Sequence, residues 1–182
     1  MTLFVVTGMS GCGKTSTMRS ISQAEVVSHT TRGKRKGERD MLDYHFIDDE
    51  KFADMLMNNE FIEHISYDYY NYGISKAEVD SIMKEHGYGY IIATQEGFEQ
   101  IKESYPDVVG IFIYASKDDC AYNMMKRGDA LEDVVRRTEM YEDALEDRHN
   151  YDYVLKNVRN KQGELEQIIR NIIMMHADVE LD

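Results

Sequence analysis

Proline is almost absent from this sequence, with Pro106 the only one in 182 residues. With no Pro-, Gly- or Ser-rich stretch and no internal repeat, nothing marks a linker, and the length suits one domain, 1–182, with a substantial core. Cysteine is scarce too. Cys12 and Cys120 are too few for a disulfide framework, which points to a reducing, cytoplasmic location. Long apolar runs are missing as well: none approaches the roughly 20 residues needed to cross a bilayer. Met1-Thr2 lead straight into Leu3-Phe4-Val5-Val6 with no basic leader and no cleavage site, so neither a membrane span nor a signal peptide is expected. Positive charge is short: 21 Lys and Arg stand against 34 Asp and Glu, for a net charge of −13. Nucleic acid demands a basic footprint, so it is not an expected partner. The acidic residues of the second half (Glu132, Asp133, Glu139, Glu142, Asp143, Glu146, Asp147) and of the tail (Asp178, Glu180, Asp182) read as a solvated face. In so acidic a chain, any cluster of arginines is informative.

What is present is the composition of a soluble globular protein, 42% apolar and 30% charged. Strand-like runs recur at Leu3–Val6, Tyr44–Ile47, Tyr90–Ala93, Val108–Tyr114 and Tyr153–Leu155. Between them lie helix-like segments, Lys14–Gln23, Asp49–Asn58, Lys76–His86, Lys117–Lys126, Leu131–Arg148 and Gln162–His176. Alternating strands and helices predict an α/β fold with a mainly parallel sheet, which binds ligands beyond the carboxyl ends of its strands. The methionines, among them Met55, Met57, Met124, Met125, Met174 and Met175, are expected to fill gaps in the core. The six histidines show no metal-ligand spacing and are assigned no metal.

Gly8-Met9-Ser10-Gly11-Cys12-Gly13-Lys14-Thr15 fits G-x-x-x-x-G-K-[ST] at every position, between an expected strand and an expected helix. The glycines let backbone N–H groups wrap a phosphate, and the helix N-terminus adds a favourable dipole. Gly8, Ser10, Gly11, Cys12, Gly13, Lys14, Thr15 and Ser16 are therefore candidates for binding ATP. Lys14 would reach the β- and γ-phosphates and the Thr15 hydroxyl would hold Mg²⁺. Cys12 occupies a free position and reads as a small side chain.

Further on, Ser28-His29-Thr30-Thr31-Arg32-Gly33-Lys34-Arg35-Lys36-Gly37-Glu38 concentrates arginines and lysines suited to an anion. Tyr44 and the tyrosine-rich stretch 67–72 offer hydroxyls to phosphate oxygens, and Glu63 offers a carboxylate to the paired N–H donors of guanine. Taken separately, the basic cluster also reads as an exposed loop and the tyrosines as packing or surface.

Together these segments resemble the guanylate kinase family. Ser28 to Phe46 (Ser-His-Thr-Thr-Arg-x-x-Arg-x-Gly-Glu, then Asp-Tyr-x-Phe) resembles its acceptor-binding segment, and Asn58-Asn59-Glu60-Phe61-Ile62-Glu63 and Asn71-Tyr72-Gly73 resemble its next two signatures. The resemblance continues through Arg127-Gly128 and Arg136-Arg137 to Asn157 and so covers nearly the whole chain. It implies a P-loop NTPase fold with a core (1–27, 83–125, 149–182), an acceptor-binding region (28–82) and a helical lid (126–148). It implies transfer of the γ-phosphate of ATP to GMP or dGMP, with Mg²⁺ as cofactor, in a monomer or small homo-oligomer. Arg32, Arg35, Tyr44 and Tyr72 would hold the acceptor phosphate, with Glu38 supporting the arginines; Ser28 and Glu63 would read guanine. Lys14, Arg32, Arg127 and Arg137 would stabilise the transferring phosphoryl group, and Asn157 would lie near the donor adenine. Arg136 and Arg137 also suit ordinary surface pairs on an acidic helix.

The sequence departs from the family's pattern at one strand end. Aligned on Gly97, Ile92 and Thr94 stand where the family carries an Asp-x-Asp pair, Glu96 is a possible substitute, and Ile74 follows Tyr72-Gly73 where a small hydroxyl residue is common. The lid is about one residue short. Two other readings therefore stay open: a kinase of another nucleoside monophosphate, modified nucleotide or sugar phosphate, and a catalytically silent binding module of the same fold.

Overall fold

Leu3, Phe4, Val5 and Val6 carry no polar alternation, and a strand apolar on both faces needs cover on both. They form the buried centre of β1 (Thr2–Thr7) in a computed structural model that describes all residues except Lys36, Asp68 and Asp182. Lys36 of the basic cluster, Asp68 of the tyrosine-rich stretch and Asp182 of the acidic tail thus lie outside the described residues, and of Tyr67 only the backbone is described. β1 pairs in parallel with β6 (Tyr88–Ile92) on one side and β7 (Val109–Tyr114) on the other, and β8 (Tyr153–Lys156) extends the sheet beyond β7. The order β6-β1-β7-β8 is parallel throughout, as expected. α1 (Lys14–Ile21) packs on α8 (Gln162–His176), whose stripe of Leu165, Ile169, Ile172 and Ile173 enters the core.

A second sheet was not foreseen. β2 (His29–Thr30), β3 (His45–Phe46), β4 (Phe61–Tyr67) and β5 (Tyr70–Ser75) lie in the order β3-β2-β5-β4 with mixed directions. The expected strand Tyr44–Ile47 belongs here, shortened to two residues, rather than in the parallel sheet. Period-2 alternation puts Thr30, Phe46 and Tyr72 on one face and His29 and His45 on the other. α2 (Asp49–Met57) covers that other face through Phe52 and Met55 against Phe61, leaving the Thr30 face turned to the rest of the molecule.

α3 (Lys76–His86) returns the chain to β6, and α4 (Gln95–Ser104) packs against both β4 and β1, so it stands between the two sheets. α4 was missed at the sequence level because Thr94-Gln95-Glu96-Gly97 reads as a strand end. Its signal was present: Thr94 caps Gly97 N at 3.1 Å, and Phe98 and Ile101 are buried at helical spacing. After α5 (Lys117–Arg127), the expected single helix Leu131–Arg148 is broken into α6 (Leu131–Glu139), α7 (Tyr141–Glu146) and a 3₁₀ turn (Asp147–Asn150). The Thr138 hydroxyl lies 2.8 Å from the carbonyl oxygens of both Val134 and Val135 and shares its one proton between them, which loosens the last turn of α6. The buried Tyr141, donating to Ala115 O at 2.7 Å, then sets a new direction.

The methionines also need correction. Met55 and Met124 are buried, but Met57, Met125, Met174 and Met175 are exposed, because α2, α5 and α8 each bury only one face.

Candidate active site

The G-x-x-x-x-G-K-T segment closes the carboxyl end of β1 and opens α1. Gly8, Gly11 and Gly13 have φ of 132°, 80° and 97°, a region that residues with a Cβ rarely adopt. Lys14 folds back over the loop, its Nζ donating to Gly8 O at 2.7 Å and Met9 O at 2.9 Å. Thr15 and Ser16 are exposed, and Ser16 Oγ donates to Gly13 O at 2.9 Å. Cys12 is fully buried, in keeping with a small packing side chain. From the end of β8, Asn157 Nδ2 donates to Cys12 O at 2.9 Å and lies 2.5 Å from where a Cβ on Gly13 would be, so this amide braces the loop.

The Thr30 face of the second sheet and the loops beside it gather most of the remaining candidates. Arg32, 7% exposed, forms a fork with Glu38, Nη1 to Oε2 at 3.0 Å and Nη2 to Oε1 at 2.7 Å, and Nη1 also donates to Gly33 O. Glu38 Oε2 accepts from Arg35 N at 2.8 Å, so one carboxylate meets the Arg32 side chain and the Arg35 backbone. The Arg32 guanidinium lies 5.4 Å from the ring centre of Tyr44, whose ring meets Tyr72 edge-on at 5.9 Å. Burial raises the Tyr44 phenol above its ordinary range, and the neighbouring Tyr72 adds to the effect, so its hydroxyl stays a neutral donor. Ser28 is half-buried immediately before β2.

Glu63 enters the same side from β4, where the pairing with β5 is irregular between Phe61 and Glu63. It is 4% exposed, and its Oε1 lies 2.7 Å from where a Cβ on Gly97 would stand, so only glycine lets the carboxyl approach the first turn of α4 so closely. Burial pushes its pKa up to about 7, and the charge of Glu96 contributes. The Asp-x-Asp positions are now explained in local terms: Thr94 is the N-cap of α4, and Ile92 ends β6 packed on the core. Glu96 is an exposed residue of the first turn, close enough to Glu63 to raise its pKa.

The lid candidates converge on a residue that sequence reasoning missed. Asp129 takes two hydrogen bonds from Arg127, and Arg137 Nη1 lies 3.5 Å from Asp129 Oδ2. Hydrogen bonding from Arg127, with help from Arg137 and Arg35, holds the Asp129 carboxyl below its ordinary range. Arg137 Nη1 is also 3.5 Å from Ser10 Oγ, which joins the lid segment to the phosphate loop. Arg136, by contrast, pairs with Asp133 at 2.7 Å on the exposed side of α6. The signal for Asp129 was its place directly after Arg127-Gly128.

A family model described as guanylate kinase matches residues 1–175. Among curated relatives, the guanylate kinase of Methylobacillus flagellatus is 31% identical over 179 residues, spanning 93% of this chain and 88% of that one. That of Legionella pneumophila strain Paris is 36% identical over 163 residues, spanning 85% and 78%. Among solved structures, the guanylate kinase from Anaplasma phagocytophilum matches with a TM-score of 0.72 at 24% identity, over 97% of this chain and 86% of that one, which establishes a shared fold.

Proposed function

The chain belongs to the guanylate kinase family, and from that premise we propose that it transfers the γ-phosphate of ATP to GMP, giving ADP and GDP. The observation that carries this reading is one site with two anion-binding halves: an intact phosphate loop and the Arg32–Glu38–Tyr44–Tyr72 cluster. Arg127 and Arg137, gathered on Asp129, lie beside them.

In this reading the loop N–H groups, Lys14 and Ser16 hold the donor phosphates, and Asn157 keeps the loop in shape from behind. Arg32, Arg35, Tyr44 and Tyr72 hold the acceptor phosphate, with Arg32 already ordered by Glu38. Ser28 and Glu63 read the guanine edge; ionised Glu63 accepts from adjacent N–H donors, a pairing that a base lacking them forfeits at a large cost. Lys14, Arg127 and Arg137 face the transferring group, whose oxygens carry most of the transition-state charge. No general base is required, because the acceptor phosphate is already anionic. Catalysis is then chiefly positioning, with two nucleotides held in line and water excluded.

Mg²⁺ would fit this donor set: the Thr15 hydroxyl, exposed beside Lys14, would offer it one hard oxygen, and nucleotide phosphates and water would supply the rest. Bound there, it would neutralise charge on the donor phosphates. Two buried free cysteines support a reducing, cytoplasmic setting.

Ile74, Ile92 and Thr94 favour a second reading, phosphorylation of a related nucleotide whose base needs only one carboxylate. The test is ADP formation from ATP and Mg²⁺ with GMP, dGMP, IMP, AMP, CMP and UMP offered separately. Turnover confined to GMP and dGMP is expected. Faster turnover with IMP would support the second reading, and no turnover with any of them while ATP still binds would overturn both.

A further inference from the structure

Arg19 lies on α1 five residues beyond Lys14, and nothing in the phosphate loop calls for a cation there. Its guanidinium makes four polar contacts with three residues on two segments. Nε and Nη2 form a fork on Glu25 at 2.5 and 3.0 Å. Nη1 donates to Asp43 Oδ1 at 2.7 Å, and Nη2 also donates to Leu42 O at 3.0 Å. Each anchor is fixed in turn. Glu25 accepts from Tyr90 OH at 3.1 Å, which ties it to β6 of the parallel sheet. Asp43 accepts from Arg39 N at 2.8 Å through its other oxygen, while Asp43 N donates to Arg39 O at 3.0 Å, closing the turn 39–43. The next residue is Tyr44, whose ring stands under Arg32 and against Tyr72.

We propose that Arg19 is a positioning residue that sets the spacing between the phosphate loop and the Tyr44 side of the acceptor site. One planar fork joins the helix that continues the loop, the edge of the parallel sheet and the turn that delivers Tyr44. A lysine could satisfy Glu25 or Asp43 but has no fork with which to hold both. In-line transfer between two anions depends on their separation, and a misplacement of about 1 Å can cost roughly 100-fold in rate. The side chain of Arg19 is 34% exposed and those of Glu25 and Asp43 18% and 20%, so solvent screens the network in part, and its effect on geometry is read separately from its effect on stability. This inference rests on the guanylate kinase reading, and it concerns residues that touch neither nucleotide.

The experiment compares the native chain with Arg19→Gln, Arg19→Lys, Asp43→Asn and the Arg19→Gln/Asp43→Asn double variant. Steady-state kinetics with GMP and ATP are read beside calorimetric binding of GMP alone and thermal melting. Arg19→Gln should raise KM for GMP about 10-fold and lower kcat/KM for GMP about 30-fold, while KM for ATP changes less than about twofold. Tm should fall by no more than about 5 °C. Arg19→Lys should lie between, Asp43→Asn should reproduce the GMP effect, and the double variant should be no worse than Arg19→Gln, as expected for members of one network. Unchanged KM for GMP, equal losses for both nucleotides accompanied by a large fall in Tm, or additive losses in the double variant would each overturn the positioning role. Failure of the native chain to phosphorylate GMP would instead overturn the guanylate kinase reading, and this role with it.

Discussion

At the scale of single residues, Glu63 joins two demands that pull in opposite directions. Reading guanine requires an ionised carboxylate, while burial and the nearby Glu96 bring its pKa to about 7 from an ordinary 4.5. A carboxyl whose folded pKa is raised binds its proton more tightly in the folded state. Its contribution to stability is complete below about pH 4.5 and is lost as pH rises through about 7. Glu63→Gln should therefore gain on the native chain by roughly 2 kcal/mol between pH 5 and pH 9, read from urea unfolding at several pH values. The same substitution should abolish measurable GMP binding at every pH. In the native chain GMP affinity should weaken as pH falls below 7, and Glu96→Gln, by removing like charge, should carry that affinity to lower pH. A pH-independent affinity for GMP would show that Glu63 does not contact the base.

At the scale of elements, the first turn of α4 packs against the Glu63 carboxyl, and the start of that helix depends on Thr94. The hydroxyl accepts from Gly97 N, the same residue whose missing side chain makes room for Glu63. Thr94→Ala should cost about 1 kcal/mol in unfolding free energy through loss of the cap. Thr94→Asp should stay within about 0.5 kcal/mol of the native chain, since aspartate caps as well as threonine. The aspartate also restores one carboxylate of the family pattern, so KM for GMP should fall if guanine recognition is limited by its absence. A higher KM with unchanged stability would instead show that Glu96 already fills that place. The lid segment obeys similar local rules: Thr138 loosens the end of α6, and Arg127 and Arg137 rest on Asp129.

At the scale of the whole molecule, two sheets meet with α4 between them, and the proposed site lies across their junction. Arg19 is the polar tie across it described above, and the Arg137–Ser10 contact joins the lid segment to the phosphate loop. Either nucleotide at about 100 times its Kd should stabilise the chain by about 2.7 kcal/mol. For a chain of this length that corresponds to a rise of roughly 5–10 °C in Tm. GMP together with a non-hydrolysable ATP analogue should raise Tm by more than the two increments combined, because closure over both ligands adds contacts that neither makes alone. Strictly additive shifts in scanning calorimetry would show that the two halves do not communicate.

The phosphate loop, the parallel sheet and most helices were legible in the chain alone because their determinants are local. Glycine conformations, a contiguous apolar strand and a capped amphipathic helix are each specified within about ten residues. The Arg32–Glu38 fork joins partners six residues apart, but Glu38 as a support for the arginines came from the family resemblance and not from that spacing. The second sheet was not legible, since β2 and β3 have two residues each and owe their existence to pairing with distant segments. Which methionines are buried also depended on the faces that helices turn inward. The protonation of Glu63, the gathering of arginines on Asp129 and the reach of Arg19 to Asp43 depend on distances through space between segments remote in sequence. Residue type set which charges and hydrogen-bonding groups were available, and tertiary packing decided which were buried and which met, because desolvation and Coulomb energy follow spatial separation and not position along the chain.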